Sequence, residues 1–374
     1  MRDKKNLTFV DKLILWLNIL LCLALLLSYF ARFTNPANDW VVAFFGLAYP
    51  LLLVGNLLLI FYWLLRRKWC VFLSIICIAI GWPVLRNNIG FHNPGTDSDN
   101  YQDGKSLDSG TVRMMTYNVH SFKRYGAKKD ISTKHDILAI INQQQPDIIG
   151  FQEFYTRKHG QYDMLDSVRK IMGSTYYYFE PLIYNSDEAI GIAIFSKFPI
   201  TGHGLVSIVD KRSENACIYI DVVKGNKQFR VYNVHLQSIR FDPEDYQYIK
   251  DITRDGADMS STRRLGSKLK NAFIKRSFQV LKIKTHATLC QYPFIISGDF
   301  NDTPASFAVN EMAKGLKNAF REKGFGLGRT YNGNFPNYQI DYIMASSLFD
   351  IKNYHIIEQK LSDHYPVRSD LFLR

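Results

Sequence analysis

The 374-residue chain is poor in cysteine, and its five cysteines are unpaired in spacing. Cys22, Cys70, Cys77, Cys217 and Cys290 form no CxxC motif, which argues against a structural zinc site. The first three lie inside apolar runs. Cys217 and Cys290 border strand-like segments and read as buried free thiols, with a disulfide between them the lesser alternative. There is no internal repeat and no low-complexity tract. Charged residues are 21% against 47% hydrophobic, which is not a disordered composition. Tryptophan is absent after residue 82: Trp16, Trp40, Trp63, Trp69 and Trp82 are all five of them.

Three apolar runs explain that bias. They cover about 13–30, 41–65 and 69–85, each near or above the roughly 17 to 25 residues that cross a hydrocarbon core. Trp40, Trp69 and Trp82 stand near run ends, as interfacial anchors do. Pro50, Gly55 and Pro83 would be costly in a soluble helix and are tolerated in a spanning one. The first run is long for a signal peptide and is followed by two more runs. No charges pair inside the spans as they would in a transporter, so the spans read as an anchor.

The sequence carries a net charge of +12, with nine Lys/Arg and three Asp/Glu in residues 1–86. Half of the excess therefore flanks the apolar runs, and the remainder is mild over the rest of the chain. It suits an anionic substrate without naming one. Arg2, Lys4, Lys5 and Lys12 precede the first run, and Arg66, Arg67 and Lys68 separate the second from the third. The positive-inside rule puts these in the cytoplasm and everything after Arg86 outside. Residues 1–86 are thus expected to be an integral membrane anchor with three spans and 87–110 a linker. Residues 111–374 are expected to form an extracytoplasmic domain.

From Thr111 short β-rich runs alternate with turns: VRMMTYNV, DIIGFQEF, AIGIAIFS, ACIYIDVV, FRVYNVHL, FIISGDF, QIDYIMAS and VRSDLFL. Helical patterns lie at 134–144, 161–171 and 260–287. The mixture predicts a layered α/β or α+β fold. The third helix carries Arg263, Arg264, Lys268, Lys270, Lys275, Arg276, Lys282 and Lys284. A solvated face is the plainer reading of these, a phosphate- or membrane-facing surface the sharper one.

Polar residues recur where strands end. Asn118 and His120 follow the first, Glu153 the second, Asn233 and His235 the fifth, and Asp299 and Asn301 the sixth. Asp341 lies in QIDYIM, and Asp363 and His364 precede the last strand. Singly, each is an ordinary turn or cap residue. Together they could fill one cleft at one sheet edge. A carboxylate such as Glu153 with Asp, Asn and water oxygens is a hard-donor site suited to Mg²⁺, with Mn²⁺ also possible. Asp299 could orient or deprotonate an attacking water, Asn301 could hold phosphate, and a His364–Asp341 pair would keep a cationic ring.

The ordered set TYNVH, GFQE, GIAIFSKFPI, NVHL, SGDFND, IDYI and SDHYPV resembles the endonuclease/exonuclease/phosphatase superfamily, from about Met114 to Val367. The resemblance implies a four-layer sandwich of two mostly antiparallel sheets flanked by helices. It implies Mg²⁺-dependent hydrolysis of phosphate esters, with a nucleic acid or a lipid headgroup as substrate. Glu153 matches the principal metal ligand, with Asn118 and Asp363 beside it. Asp299 and Asn301 match the water-activating and phosphate-positioning pair, and Asp341 and His364 match the Asp–His pair. His235 matches a histidine near phosphate, and Asn233 in the same motif is a substrate-binding candidate. His120 departs from the pattern, standing where DNA-repair members often have Asp. A catalytically inactive scaffold on the same fold is the alternative, and the completeness of the motif set weighs against it.

Overall fold

The computed structural model describes residues 7–92, 110–123, 132–209, 213–255, 258–333 and 337–374. Most of the expected linker, 93–109, lies outside the described residues.

Helices α1 (Phe9–Phe30) and α2 (Val41–Leu65) have 22 and 25 residues and are long and apolar enough to cross a membrane. The third run is not one straight span. It forms α3 (Val71–Ile80) and α4 (Trp82–Asn88), bent by 72°. Two local causes coincide there. Pro83 lies in the first turn of α4 and has no N–H to return to α3. Gly81 lies so close to Tyr29 that a Cβ would meet its ring at 2.0 Å. Among the described residues the bundle therefore has two helices long and apolar enough to span, or three if the bent pair counts as one.

Inside the bundle a buried polar network replaces part of the expected apolar contact. Asn18 Nδ2 donates to Ser74 Oγ at 2.7 Å, Ser74 Oγ to Asn56 Oδ1 at 2.9 Å, and Trp63 Nε1 to Asn18 Oδ1 at 2.9 Å. Amide and hydroxyl groups hold apolar helices in register when lipid offers them no partner. At the Arg66 end, just outside the expected spans, buried Asp11 accepts two bonds from Arg66, at 3.0 and 2.8 Å.

The chain leaves α4 through β1 (Ile89–Phe91), which pairs with β11 (Phe325–Leu327). A six-stranded sheet contains β6 (Ile200–Val206), β7 (Ala216–Lys224), β8 (Lys227–His235), β9 (Phe294–Asp299), β10 (Leu316–Asn318) and β12 (Asp341–Ser346), in the order β10-β12-β9-β8-β7-β6. A seven-stranded sheet contains β2 (Thr111–Asn118), β3 (Ile148–Arg157), β4 (Tyr176–Tyr184), β5 (Glu188–Ser196), β13 (Phe349–Ile351), β14 (His355–Ile356) and β15 (Val367–Leu373). Its order is β13-β15-β2-β3-β5-β4, with β14 on β15. Only β2/β3 and β8/β9 pair in parallel; the other pairs in these two sheets are antiparallel.

Alternation along the strands builds the layers. Val112, Met114, Ile148 and Ile194 of one sheet meet Ile218, Val231, Ile295 and Ile343 of the other in one core. The opposite side of the seven-stranded sheet, Met115, Ile149 and Phe151, packs on α5 (Thr133–Gln144) and α6 (Met164–Met172). The opposite side of the six-stranded sheet, Tyr232, Ile296 and Tyr342, packs on the long α8 (Met259–Thr288) and on α9 (Phe307–Ala313). Two shorter elements, α7 (Pro243–Asp255) and α10 (Ala319–Lys323), complete the described helices. The result is the four-layer α/β sandwich expected from the sequence.

Candidate active site

The same alternation that fills the core delivers the polar groups. On β2 the inward positions run Val112, Met114, Thr116, Asn118; on β8 they end Val231, Asn233, His235; on β9, Ile295, Ser297, Asp299. Register then sets them side by side. His235 is paired with Asp299 across β8/β9, and Asp341 with Asp299 across β12/β9. Three adjacent strands thus end in one row, His235, Asp299, Asp341.

Glu153 reaches the row by a different route. Strict alternation would send it outward with Ile149 and Phe151. The β3–β5 register shifts between Phe151 and Phe154, and Glu153 has φ +52°, a left-handed conformation costly for a side chain with a Cβ. That bulge turns its carboxylate into the cleft. Asn301 likewise has φ +53° just after β9. Two polar positions of one cleft are thus held in strained backbone, a feature that clusters at functional sites.

The contacts are close. Asp299, 1% exposed, accepts from Asn301 N at 2.8 Å, from Asn301 Nδ2 at 3.2 Å and from Asn118 Nδ2 at 3.1 Å. The Nε2 atoms of His235 and His364 each lie 3.7 Å from its Oδ2. His364 Nδ1 lies 3.0 Å from Asp341 Oδ2. His235 Nδ1 lies 3.1 Å from Glu214 O, a pure acceptor, so that nitrogen carries the proton and donates. His120 Nδ1 stands between two carboxylates, 3.4 Å from Glu153 Oε2 and 3.8 Å from Asp363 Oδ1.

The charge states follow. Burial pushes the Asp299 carboxyl up, the Asp341 charge adds to this, and the His364 and His235 charges oppose it, leaving it at about 6. For His364, burial works against the imidazolium, but the charges of Asp341 and Asp299 and the Asp341 hydrogen bond outweigh it and raise the ring well above its ordinary value. Burial also raises Glu153, yet the His120 hydrogen bond and the charges of His235, His120 and His364 hold it at about 2. His120 is raised, first by its hydrogen bond to Glu153.

Two residues that sequence reasoning did not single out hold this geometry. Ser362 Oγ donates to Asn118 O at 2.8 Å and accepts His364 N–H at 3.2 Å, pinning the SDHYPV loop to β2. Thr330 Oγ1 accepts Asp341 N–H at 3.0 Å. Ser362 opens the SDHYPV motif but is not itself one of the expected site residues, and Thr330 has no signal in the sequence. One expected site residue goes elsewhere. Asn233 is fully buried between the sheets, its Nδ2 donating to Phe151 O and Ala193 O at 2.9 Å each. Gly150 makes room for it, since a Cβ there would meet Asn233 Cγ at 2.8 Å. It ties the sheets together rather than lining the cleft. Of the basic residues of α8, Arg276 turns inward to Asp302 at 2.9 Å, while Arg264 and Lys268 pair with Asp245 of α7. Cys217 and Cys290 are free thiols, and Cys290 is only partly buried.

Residues 115–364 match the model of the endonuclease/exonuclease/phosphatase family. The chain belongs to that family. Its members are usually phosphoesterases and typically use divalent metals. Residues 11–88 match a second family model, described as a domain of unknown function. Among solved structures the chain is similar to an endonuclease/exonuclease/phosphatase from Beutenbergia cavernae, with 19% identity, TM-score 0.52 and coverage of 71% of this chain and 72% of that one. It is also similar to one from Bacteroides vulgatus, with 17% identity, TM-score 0.51 and coverage of 71% and 99%. The catalytic domain of human Nocturnin follows at 17% identity, TM-score 0.50 and coverage of 72% and 96%. At these identities the likeness is one of fold. No curated protein matches the chain.

Proposed function

We propose that the chain is a membrane-anchored hydrolase of phosphate esters that uses Mg²⁺, or Mn²⁺ in its place, and water. The observation that carries the reading is the buried Asp299 carboxylate held between two imidazoles, 3.7 Å from each, with Glu153 turned into the same cleft by a strained bulge.

The donor set suits a divalent ion at Glu153. Glu153 and Asp363 offer hard oxygens on either side of His120 Nδ1, 3.4 and 3.8 Å from it. Asn118 lies beside them, its Nδ2 3.4 Å from Glu153 Oε1, and would offer its oxygen after an amide turn. Asp299, Asp341 and His364 also bring ligand atoms within 4.8 Å of one another, but His364 Nδ1 is already bonded to Asp341, so this group is the poorer site. An ion at Glu153 would polarise a phosphoryl oxygen. The side chains supply the rest. Asp299, ionised above about pH 6, accepts a proton from water as the water oxygen bonds to phosphorus. Asn301 positions phosphate and nucleophile, and His235 borders the phosphate. The His364 imidazolium, kept charged by Asp341, faces the growing negative charge. The phosphorus–oxygen bond to the leaving group breaks, and the leaving oxygen takes a proton from solvent. No enzyme-bound ester forms.

The basic flanks support an anchor with the N-terminus and Arg66–Lys68 in the cytoplasm and the catalytic domain outside. The test is turnover by the full chain in detergent with Mg²⁺, using bis-p-nitrophenyl phosphate, DNA, RNA, phosphoinositides and sphingomyelin. Failure with every one of them sinks the reading.

A further inference from the structure

The catalytic cleft is not walled by the catalytic domain alone. Leu47 of α2 lines it together with Glu153, Asp299 and His364. Tyr338, another lining residue, donates its hydroxyl to Leu47 O at 3.3 Å. Phe273 of α8 lines the cleft and packs edge-on against Phe44, ring centroids 5.4 Å apart. Gly46 lies beside Ala305, where a Cβ would stand in ordinary contact, 3.5 Å from its carbonyl oxygen. Lys270 Nζ lies 4.6 Å from the centre of the Trp40 ring. All these contacts fall at the α1–α2 turn end of the bundle, the end opposite Arg66.

Helix length sets the height of the cleft. The 25 residues of α2 at 1.5 Å each span about 37 Å, against a hydrocarbon core of about 30 Å. With Leu65 at one boundary, next to Arg66, Arg67 and Lys68, Leu47 lies about 27 Å away, just inside the other boundary. The cleft then opens where headgroup phosphates meet hydrocarbon chains. Its chemistry divides the same way. The floor is carboxylate and imidazole. The rest of the lining includes apolar Leu47 of α2 with Ile239, Phe241, Phe273 and Ile340. The cavity holds about 210 Å³, room for a headgroup ester.

We propose that the substrate is a lipid phosphate ester of the leaflet in which the α1–α2 end of the bundle lies. Its phosphorus meets the Glu153–Asp299–His364 floor, and its hydrocarbon part passes over Leu47 along α2 into the membrane. This rests on the hydrolase reading above. A nucleic acid is the competing substrate, and the measurements below separate the two.

Two measurements on the full chain with Mg²⁺ test it. In micelles, methyl and octyl p-nitrophenyl phosphate are compared; KM should fall at least tenfold from the methyl to the octyl ester with kcat little changed. In vesicles of equal parts phosphatidylethanolamine, phosphatidylglycerol and sphingomyelin, one lipid should be hydrolysed. Leu47→Asp should slow that reaction at least tenfold and shrink the methyl-to-octyl difference in KM to less than about threefold. A KM blind to chain length overturns the proposal, and the ester comparison needs no variant to fold. So does cleavage of a single-stranded DNA oligonucleotide with no lipid hydrolysed, or lipid turnover untouched by Leu47→Asp. Absence of turnover with every probe, the p-nitrophenyl esters included, removes the hydrolase reading itself and this proposal with it.

Discussion

The Asp341–His364 pair offers the sharpest test of the site. Asp341→Asn keeps the shape and an acceptor oxygen but removes a negative charge 3.0 Å from His364 Nδ1. Two unit charges at that distance interact by about 5 kcal/mol at an effective dielectric near 20. That is ample to let a buried ring lose its proton once the partner is neutral. Losing one preorganised charge aimed at the transition state costs roughly 10²–10³ in kcat. We expect a loss of this size for Asp341→Asn and for His364→Ala, with KM nearly unchanged. The double variant should fall no more than about threefold below the worse single, because a pair acting as a unit is not additive. Stability gives an independent reading. The folded ring titrates above its ordinary value, so the pair's contribution is complete below about pH 6.5 and is lost only as pH rises through the raised value. Asp341→Asn should therefore melt below the wild type near pH 6, with the gap narrowing in alkaline buffer. The assay is bis-p-nitrophenyl phosphate turnover for both singles and the double, beside melting curves. Multiplicative losses, or a lowered melting temperature with intact kcat, would refute the reasoning.

Other expectations follow from the same geometry. EDTA should abolish turnover and Mg²⁺ or Mn²⁺ restore it, while Glu153→Gln should cost several kcal/mol of transition-state stabilisation in a folded protein; full activity after exhaustive chelation contradicts the metal assignment. Turnover should rise with pH through about 6 as Asp299 ionises, and a flat profile from pH 5 to 8 would remove it as the proton acceptor. Because the folded Asp299 value is raised, its stability contribution is present at low pH and lost on passing about 6. In EDTA the wild type should therefore lose melting temperature as pH rises through about 6, and Asp299→Asn should remove that step; an equal step in the variant would contradict the reading. A periplasm-active reporter fused at Arg374 should work and a cytoplasm-active one should not; the reverse result inverts the topology.

Much of this site is legible because a period of two is hard to hide. Asn118, His235 and Asp299 share parity with the core residues behind them, so the pattern that predicts a strand also predicts that its last inward residue faces the cleft. All eight strand-like runs read from the sequence are strands. The rest was hidden for physical reasons. β4 breaks its run with Pro181 and exposes much of its length, and β6 carries Gly202 and Gly204, so neither shows the apolar signature of a buried strand. Asn233 has the parity of a site residue, but it lies one pleat short of the strand end, where its amide meets the opposite sheet instead of the cleft. The bulge that aims Glu153 is a register event between two strands, invisible in either alone. The bend at Gly81 follows from Tyr29, more than fifty residues away in sequence.

The three-residue ladder between β1 and β11, Ile89↔Leu327, Gly90↔Gly326 and Phe91↔Phe325, begins directly after the last bundle helix. Asn87 Nδ2 adds a bond to Asn310 Oδ1 at 3.3 Å. The catalytic sandwich is therefore mounted on the bundle, not leashed to it. A leashed domain would sweep a hemisphere and sample its surroundings by rotation. This one has a single fixed aim relative to the bundle and no reach, so with the bundle in a membrane, as proposed, its encounters would be lateral, within the disc at its own foot. Its orientational entropy is lost once, when the chain folds, and not again with each molecule that arrives.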